Sequence, residues 1–314
     1  KKRRDYIHGE TVKYVSLHYS QQNRDFRPSE LPKNLGKIHR AEIGQKNAYG
    51  AHEMLNRSHI IFDFILDDKL THPTLSQYQV LFLSNSACLS NEQCEEIRKF
   101  VRYGGTLIAT HETSLLDQFG QKRGEFALAD ILGVEYKGVR GLETDHGVIY
   151  VPRNKDLSSK FGDVSGFYGQ ESAVSIYPDV NVDVLCSRSN LEGESPLKNF
   201  DPRKDYDSSE PAVTVRRYGK GQAMYIAADV GGAYMNNPYP PLKKFVAHLV
   251  KQTRPPIEIL APEAIEATAS LRDSGELMIH LLNNPTPLLP WQISDSEDAA
   301  KYREDITTFF SVFI

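Results

Sequence analysis

Tyr78-Gln79-Val80-Leu81-Phe82-Leu83-Ser84-Asn85, then the segment from Leu89 to Tyr103, then Gly104-Gly105 and Thr106-Leu107-Ile108-Ala109-Thr110, decides the fold class of this chain. The first run is short, almost continuously apolar and ends in polar residues, the signature of a strand buried on both faces. The second reads as a helix. Ser90 caps it, Gln93 completes a capping box and Leu89 staples against Cys94. Ile97, Phe100 and Val101 then share one face, with Glu95 and Lys99 spaced i, i+4 on another. Gly104 supplies the stop, and Thr106 to Thr110 is a second buried strand that ends in His111-Glu112-Thr113-Ser114. In an open α/β sheet the space beyond a strand's carboxyl end is where ligands bind. That place carries neither a cysteine nor a Gly-x-Ser-x-Gly elbow.

Working outward, Val12 to His18 reads as the first strand, Tyr19 to Lys37 as a polar loop, Asn47 to Arg57 as a helix and Ile60 to Leu66 as a strand. Helices alternating with near-continuous apolar runs imply a mostly parallel sheet covered on both faces. Phe126 to Leu132 is a short helix ended by Gly133, and Glu135 to Asp207 is an irregular, β-rich insertion with strand-like runs at Gly147 to Val151 and Asn181 to Leu185. Ala212 to Tyr218 and Gln222 to Ala228 flank Gly219-Lys220-Gly221 as a hairpin, and Pro240-Pro241 opens a helix with Leu242, Phe245, Val246, Leu249 and Val250 at helical spacing. Arg254-Pro255-Pro256 is the clearest boundary. The expected organisation is a linker over 1–11, an α/β domain over 12–254 and a small antiparallel β unit over 255–314, with strands at Ile257 to Leu260, Ile265 to Leu271 and Glu276 to Leu282. A β-sandwich takes about 100 residues, so this unit reads as incomplete, with an apolar end at Thr307 to Ile314.

Forty per cent hydrophobic and 25 per cent charged residues describe a soluble globular chain. A net charge of −4 gives no reason to expect nucleic acid or an anionic membrane as partner, and Lys1-Lys2-Arg3-Arg4 reads as a solvated linker. No apolar run reaches the ~20 residues needed to span a bilayer. Three cysteines, Cys88, Cys94 and Cys186, make no disulfide framework and point to reduced thiols, a weak indication of the cytoplasm. The absence of an initiator methionine suggests a piece of a longer protein.

The run Val80 to Ser90, continued by Phe100 to Ser114, resembles the middle domain of family 42 β-galactosidases, the β-galactosidase trimerisation domain. Phe126-Ala127-Leu128-Ala129-Asp130-Ile131-Leu132-Gly133, Tyr218-Gly219-Lys220-Gly221 leading into Tyr225 to Asp229, and His280-Leu281-Leu282-Asn283 extend the likeness over roughly residues 13 to 284. The resemblance implies a flavodoxin-like fold similar to class I glutamine amidotransferases. It also implies a homo-oligomer such as a trimer, carbohydrate as the parent's substrate, and an accessory role beside a (β/α)8 barrel that carries the catalytic glutamates. A barrel needs about 250 residues, and no part of this chain reads as one.

In amidotransferases of this fold the strand after the Gly-Gly turn delivers a cysteine. Here the matching positions are Thr110 and His111, and Asp229-Val230-Gly231-Gly232 stands where a catalytic histidine would fall, so that chemistry is not expected. His111-Glu112-Thr113-Ser114-Leu115 lacks the second histidine of a zinc helix and follows a strand, so neither a metal nor a cofactor is expected. The alternative is a stand-alone hydrolase in which Glu112, Asp130 and Asp229 meet at the sheet's rim, ~5 Å apart for a retaining and ~6.5–9.5 Å for an inverting mechanism. Another alternative is a sugar-binding module built on Arg24, His111, Glu112, Ser114, Asp229 and Tyr234. In that reading Arg24 grips a carboxylate or hydroxyls, and Tyr234, Tyr239 and Trp291 stack on a ring; core packing explains the same aromatics equally well.

Overall fold

The computed structural model describes residues 9–27, 37–141, 148–153, 157, 167–170, 172–189, 210–238 and 240–284. Tyr239, Trp291, the Lys1–Arg4 run and the Thr307 to Ile314 segment lie outside them. The strands are β1 (Glu10–Thr11), β2 (Val15–His18), β3 (Phe62–Ile65), β4 (Val80–Leu83), β5 (Thr106–Thr110), β6 (Val134–Gly141), β7 (Val148–Pro152), β8 (Phe167–Gln170), β9 (Ser172–Pro178), β10 (Asp183–Ser189), β11 (Pro211–Tyr218), β12 (Gly221–Ile226), β13 (Ile265–Leu271) and β14 (Leu277–Asn283). The helices are α1 (Gln21–Phe26), α2 (Lys37–Asn56), α3 (His72–Leu75), α4 (Asn91–Arg102), α5 (Ala129–Leu132), α6 (Val230–Asn236) and α7 (Pro240–Val250).

Nine strands form one sheet in the order β3-β2-β4-β5-β12-β11-β10-β7-β8. The first five are parallel to one another, and counted among themselves they run 2-1-3-4-5, the flavodoxin-like order. From β12 onward each pairing is antiparallel, so the β-rich insertion and the β11–β12 hairpin prolong the parallel core. The alternation along each parallel strand divides the core in two. Val80, Phe82, Ile108, Met224 and Ile226 face α2, α6 and α7, while Leu81, Leu83, Leu107, Ala109, Ala223 and Tyr225 face α4 and α5.

The locally coded elements fall where the sequence puts them. Ser90 and Gln93 form the reciprocal capping box on α4, and Gly133 ends α5 in the left-handed region at φ 67°. Gly219, at φ 61°, turns the β11–β12 hairpin. Other elements differ. The expected loop from Tyr19 contains α1, which six residues without apolar periodicity do not advertise; Ser20 caps it by accepting from the Asn23 amide. Helix α2 begins ten residues earlier than its apolar face suggests. On α4, Glu95 pairs with Arg98 and Lys99 with Glu96, both at i, i+3, in place of the expected Glu95–Lys99 pair. No strand forms at Ile257 to Leu260. The small sheet instead takes its third strand from the amino-terminal side, Glu10 and Thr11 lying opposite Leu271 and Ser270.

Helices α2 and α6 meet backbone to backbone: a Cβ at Gly50 would overlap the Gly231 carbonyl, and one at Gly231 would overlap the carbonyl of Asn47. Gly50→Ala is expected to lower stability by about 1–3 kcal/mol in urea unfolding, the range for overpacking. Gly124→Ala, which opens into free space, should stay within about 0.5 kcal/mol.

Candidate functional site

The carboxyl ends of β2, β4, β5 and β12 converge on one rim, and two of them, β4 and β5, lead into polar residues with a left-handed backbone. After β4 comes Asn85 at φ 51°, and after β5 come His111 at φ 50° and Ser114 at φ 67°. Asn85 joins the four loops. Its amide donates to Thr110 Oγ1 (2.8 Å), its carbonyl accepts from Asn23 Nδ2 (2.7 Å), its side-chain oxygen accepts from the Glu112 amide (3.3 Å), and its Nδ2 donates to Asp229 Oδ2 (3.1 Å). Asp229 uses its other oxygen to cap α6 through the Gly232 amide. An asparagine tolerates the left-handed region and offers both a donor and an acceptor, which is why this residue type suits the position.

His111 takes the left-handed turn at the carboxyl end of β5. Its amide donates to Ile226 and its carbonyl accepts the Tyr225 hydroxyl at 2.6 Å, which fixes the turn. The ring is buried, and among the described residues neither nitrogen has a hydrogen-bond partner. Burial holds its pKa below the ordinary histidine value and outweighs the nearby carboxylates of Asp229 and Glu112. The imidazole is therefore neutral, with one donor and one acceptor. Three further buried polar atoms on α1 and α2 also lack partners among the described residues: Gln22 Oε1, Gln45 Nε2 and Asn47 Nδ2. Burial works against ionisation of Glu112, but Arg27, 2.6 Å away at the end of α1, counters it by charge and hydrogen bond, and the carboxyl stays below its ordinary pKa.

Beside this lies a second polar chain that the sequence reading missed. His18 Nε2 meets Asp67 Oδ1 at 3.1 Å, and its Nδ1 meets Ser86 Oγ at 2.9 Å. With the proton on Nε2 shared toward Asp67, Nδ1 accepts from the Ser86 hydroxyl. The order serine–histidine–aspartate is that of a nucleophile and its base. Here, however, Ser86 and His18 are each 1 % exposed, and Asp67 already accepts from Ser20 Oγ and the Gln21 and Gln22 amides. The chain pins α1 to the switch point between β2 and β4; no substrate reaches the hydroxyl.

The six binding candidates and the three carboxylates separate in the fold. Glu112 and Asp229 sit at the two ends of the Asn85 amide next to His111. Asp130 pairs with Arg98 on α4, and among the described residues no contact joins it to the other two. Arg24 forms a fork with its neighbour Asp25 at the surface. Ser114 accepts from the Leu128 amide, and Tyr234 is buried in the apolar core, which raises its pKa. All three thiols are buried; burial pushes Cys88 up to about 12 and Cys94 up to about 11, and raises Cys186 as well. Asn85, Arg27, His18 and Asp67 were the residues not foreseen. A buried asparagine between two serines after a strand was the one local signal.

Strand order and strand-end geometry define a flavodoxin-like α/β module with a buried imidazole at the carboxyl end of β5. The chain belongs to the β-galactosidase trimerisation domain family, whose pattern matches residues 17–253. It is 22 % identical over 239 residues to the β-galactosidase BgaP of Planococcus sp. (strain L4), covering 74 % of this chain and 30 % of that protein. With the β-galactosidase BglY of Alicyclobacillus acidocaldarius it shares 26 % over 200 residues, 62 % of this chain and 25 % of the relative. The chain thus spans about a third or less of these relatives. Among solved structures, the β-galactosidase from Bacillus circulans sp. alkalophilus superposes with a TM-score of 0.65 at 18 % identity, over 88 % of this chain and 36 % of that one. An α-L-fucosidase from Paenibacillus thiaminolyticus gives 0.63 at 18 % identity, over 90 % and 39 %. These structural likenesses concern the fold.

Two outcomes are expected. Asn85→Ala removes both side-chain bonds and leaves buried Asp229 and the Glu112 amide short of a partner, lowering stability by about 3 kcal/mol in urea unfolding. Because folded His111 resists a proton that the unfolded chain binds near pH 6.5, stability falls as pH drops from 6.5 toward 5, by up to about 1.4 kcal/mol per pH unit for one such group. His111→Asn, which accepts the left-handed backbone, should make that slope shallower. His59, whose pKa is also lowered by burial, keeps it above zero.

Proposed function

We propose that this chain is an accessory, assembly-forming domain of a larger glycoside hydrolase of the β-galactosidase class, and that it contributes no catalytic group of its own. The observation that carries this reading is the strand-end turn of β5. The residue there is His111, enclosed and neutral, and every thiol of the chain is buried far from an ionised state. Of the two carboxylates beside it, Glu112 is held by Arg27 and cannot serve as a proton donor near neutral pH, and Asp229 is engaged by the Asn85 side chain and the Gly232 amide.

On this proposal an α/β domain over 12–254 and a small β unit from 255 follow a barrel that carries the acid and nucleophile. The partners are further copies of the same chain, arranged as a trimer, and carbohydrate is met through the parent's sugar site. Family membership supports this reading. So do the aromatic side chains left at the surface: Phe26 and Phe119 are 46 % and 62 % exposed and stand edge to face at 5.9 Å, and Tyr49 and Phe64 flank Tyr19.

Light scattering after size-exclusion chromatography of the 314-residue chain should give three times the chain mass. Aryl β-galactosides should not be turned over. A chain that stays monomeric from micromolar to near-millimolar concentration argues against the assembly role, and turnover abolished by Glu112→Gln would establish the carboxylate hydrolase instead.

A further inference from the structure

At the seam between the α/β domain and the small sheet lies an open pocket of about 400 Å³ that no part of the assembly reading uses. Arg57 and His59 reach it from the end of α2, Lys243, Lys244 and Lys251 from α7 and the residue after it, and Glu263 from the segment before β13. Four cations thus surround one carboxylate in a chain whose net charge is −4. Lys244 and Lys251 are exposed, as a solvated helix face would be, but Lys243 is only 4 % exposed. Its ammonium carries three donors, and among the described residues its one partner is Glu263, itself mostly exposed.

The cations oppose one another. Burial lowers the pKa of Lys243 despite Glu263, and Arg57 and Lys244 push it the same way. His59 is likewise held neutral, first by burial and then by Lys251 and Lys243. Arg57 pairs with Glu53 at 3.1 Å. His59 also fixes the walls of the pocket: at φ 52°, it places Nε2 at 3.0 Å from the Ile265 carbonyl and 3.2 Å from that of Pro262. Three lysines lining one pocket, one of them buried, on a braced wall are a receptor for a compact anion of high charge.

We propose that this seam pocket binds a phosphoryl group, free or as the monoester of a small molecule, between Lys243, Lys244 and Lys251. A phosphomonoester brings close to two negative charges and three acceptor oxygens at neutral pH. Lysines bind it as point charges, and the pocket's size falls within the range of small-molecule clefts, about 300–1,000 Å³. The pocket shares no lining residue with the rim around Asn85.

Calorimetry on the 314-residue chain, at ionic strength balanced with sodium chloride, tests this with inorganic phosphate and with a hexose 6-phosphate as separate titrants. Saturable binding of at least one is expected. Lys244→Ala with Lys251→Ala should raise Kd about tenfold or more, equivalent to about 1.4 kcal/mol. Glu263→Gln, which removes the competing carboxylate, should lower it. Lys99→Ala, on the surface of α4 and paired with Glu96, should leave it unchanged. Tighter binding of the ester identifies an esterified ligand, and equal binding identifies free phosphate. The proposal is overturned if neither titrant gives saturable heat, or if the double variant, with native circular dichroism, binds as tightly as the parent. If the double variant fails to fold, Lys251→Ala alone decides by the same criterion.

Discussion

The structure depends on a single buried asparagine to close the carboxyl edge of its parallel sheet. Five parallel strands, covered on both faces, end together at one rim, and the backbone groups leaving them must find partners without water. Asn85 meets that demand with four hydrogen bonds to three other segments: α1, the end of β5 with its turn, and the cap of α6. Asn23 repeats the device one layer out, accepting from the Cys88 amide while donating to the Asn85 carbonyl. In an enzyme of this architecture such a rim is left partly unsatisfied so that a substrate can complete it. Here most of the rim is completed from within, and His111 and the side chains of α1 and α2 hold the polar atoms left over.

This inward satisfaction engages the rim's polar groups with one another. His111 takes a left-handed turn at the end of β5, and the side chain it carries is enclosed. Glu112 is neutralised by Arg27, and the Ser86–His18–Asp67 chain is sealed beneath α1. Each group is used for cohesion between loops. A chain with that economy is suited to present surfaces to other chains.

What the sequence made legible follows from range. The capping box on α4, the glycine stop of α5, the hairpin at Gly219 and the two-sided apolar strands are each coded within a few residues, and all could be read directly. Helix α1 could not, because its six residues bury only Asn23, and its cap draws on Asp67, more than 40 residues away. The rim was legible only by halves. Glu112, His111 and Asp229 were visible as polar residues at strand ends, whereas Arg27, His18 and Asp67 gain their meaning from partners 49 to 85 residues distant. Asp130 shared the apparent pattern but lies beside Arg98, because a four-residue helix turns it toward α4.

The concealment of Cys88, Cys94 and Cys186 turns them into built-in sentinels. One sits in the loop that Asn23 secures, one inside α4 and one on β10, at a register shift in its pairing with β11. A thiol reacts only as exposed thiolate, so each of the three can be labelled only when its own neighbourhood opens. The native chain therefore carries an internal clock for the breathing of the rim, the helical layer and the antiparallel extension, readable one sulfur at a time without altering a residue.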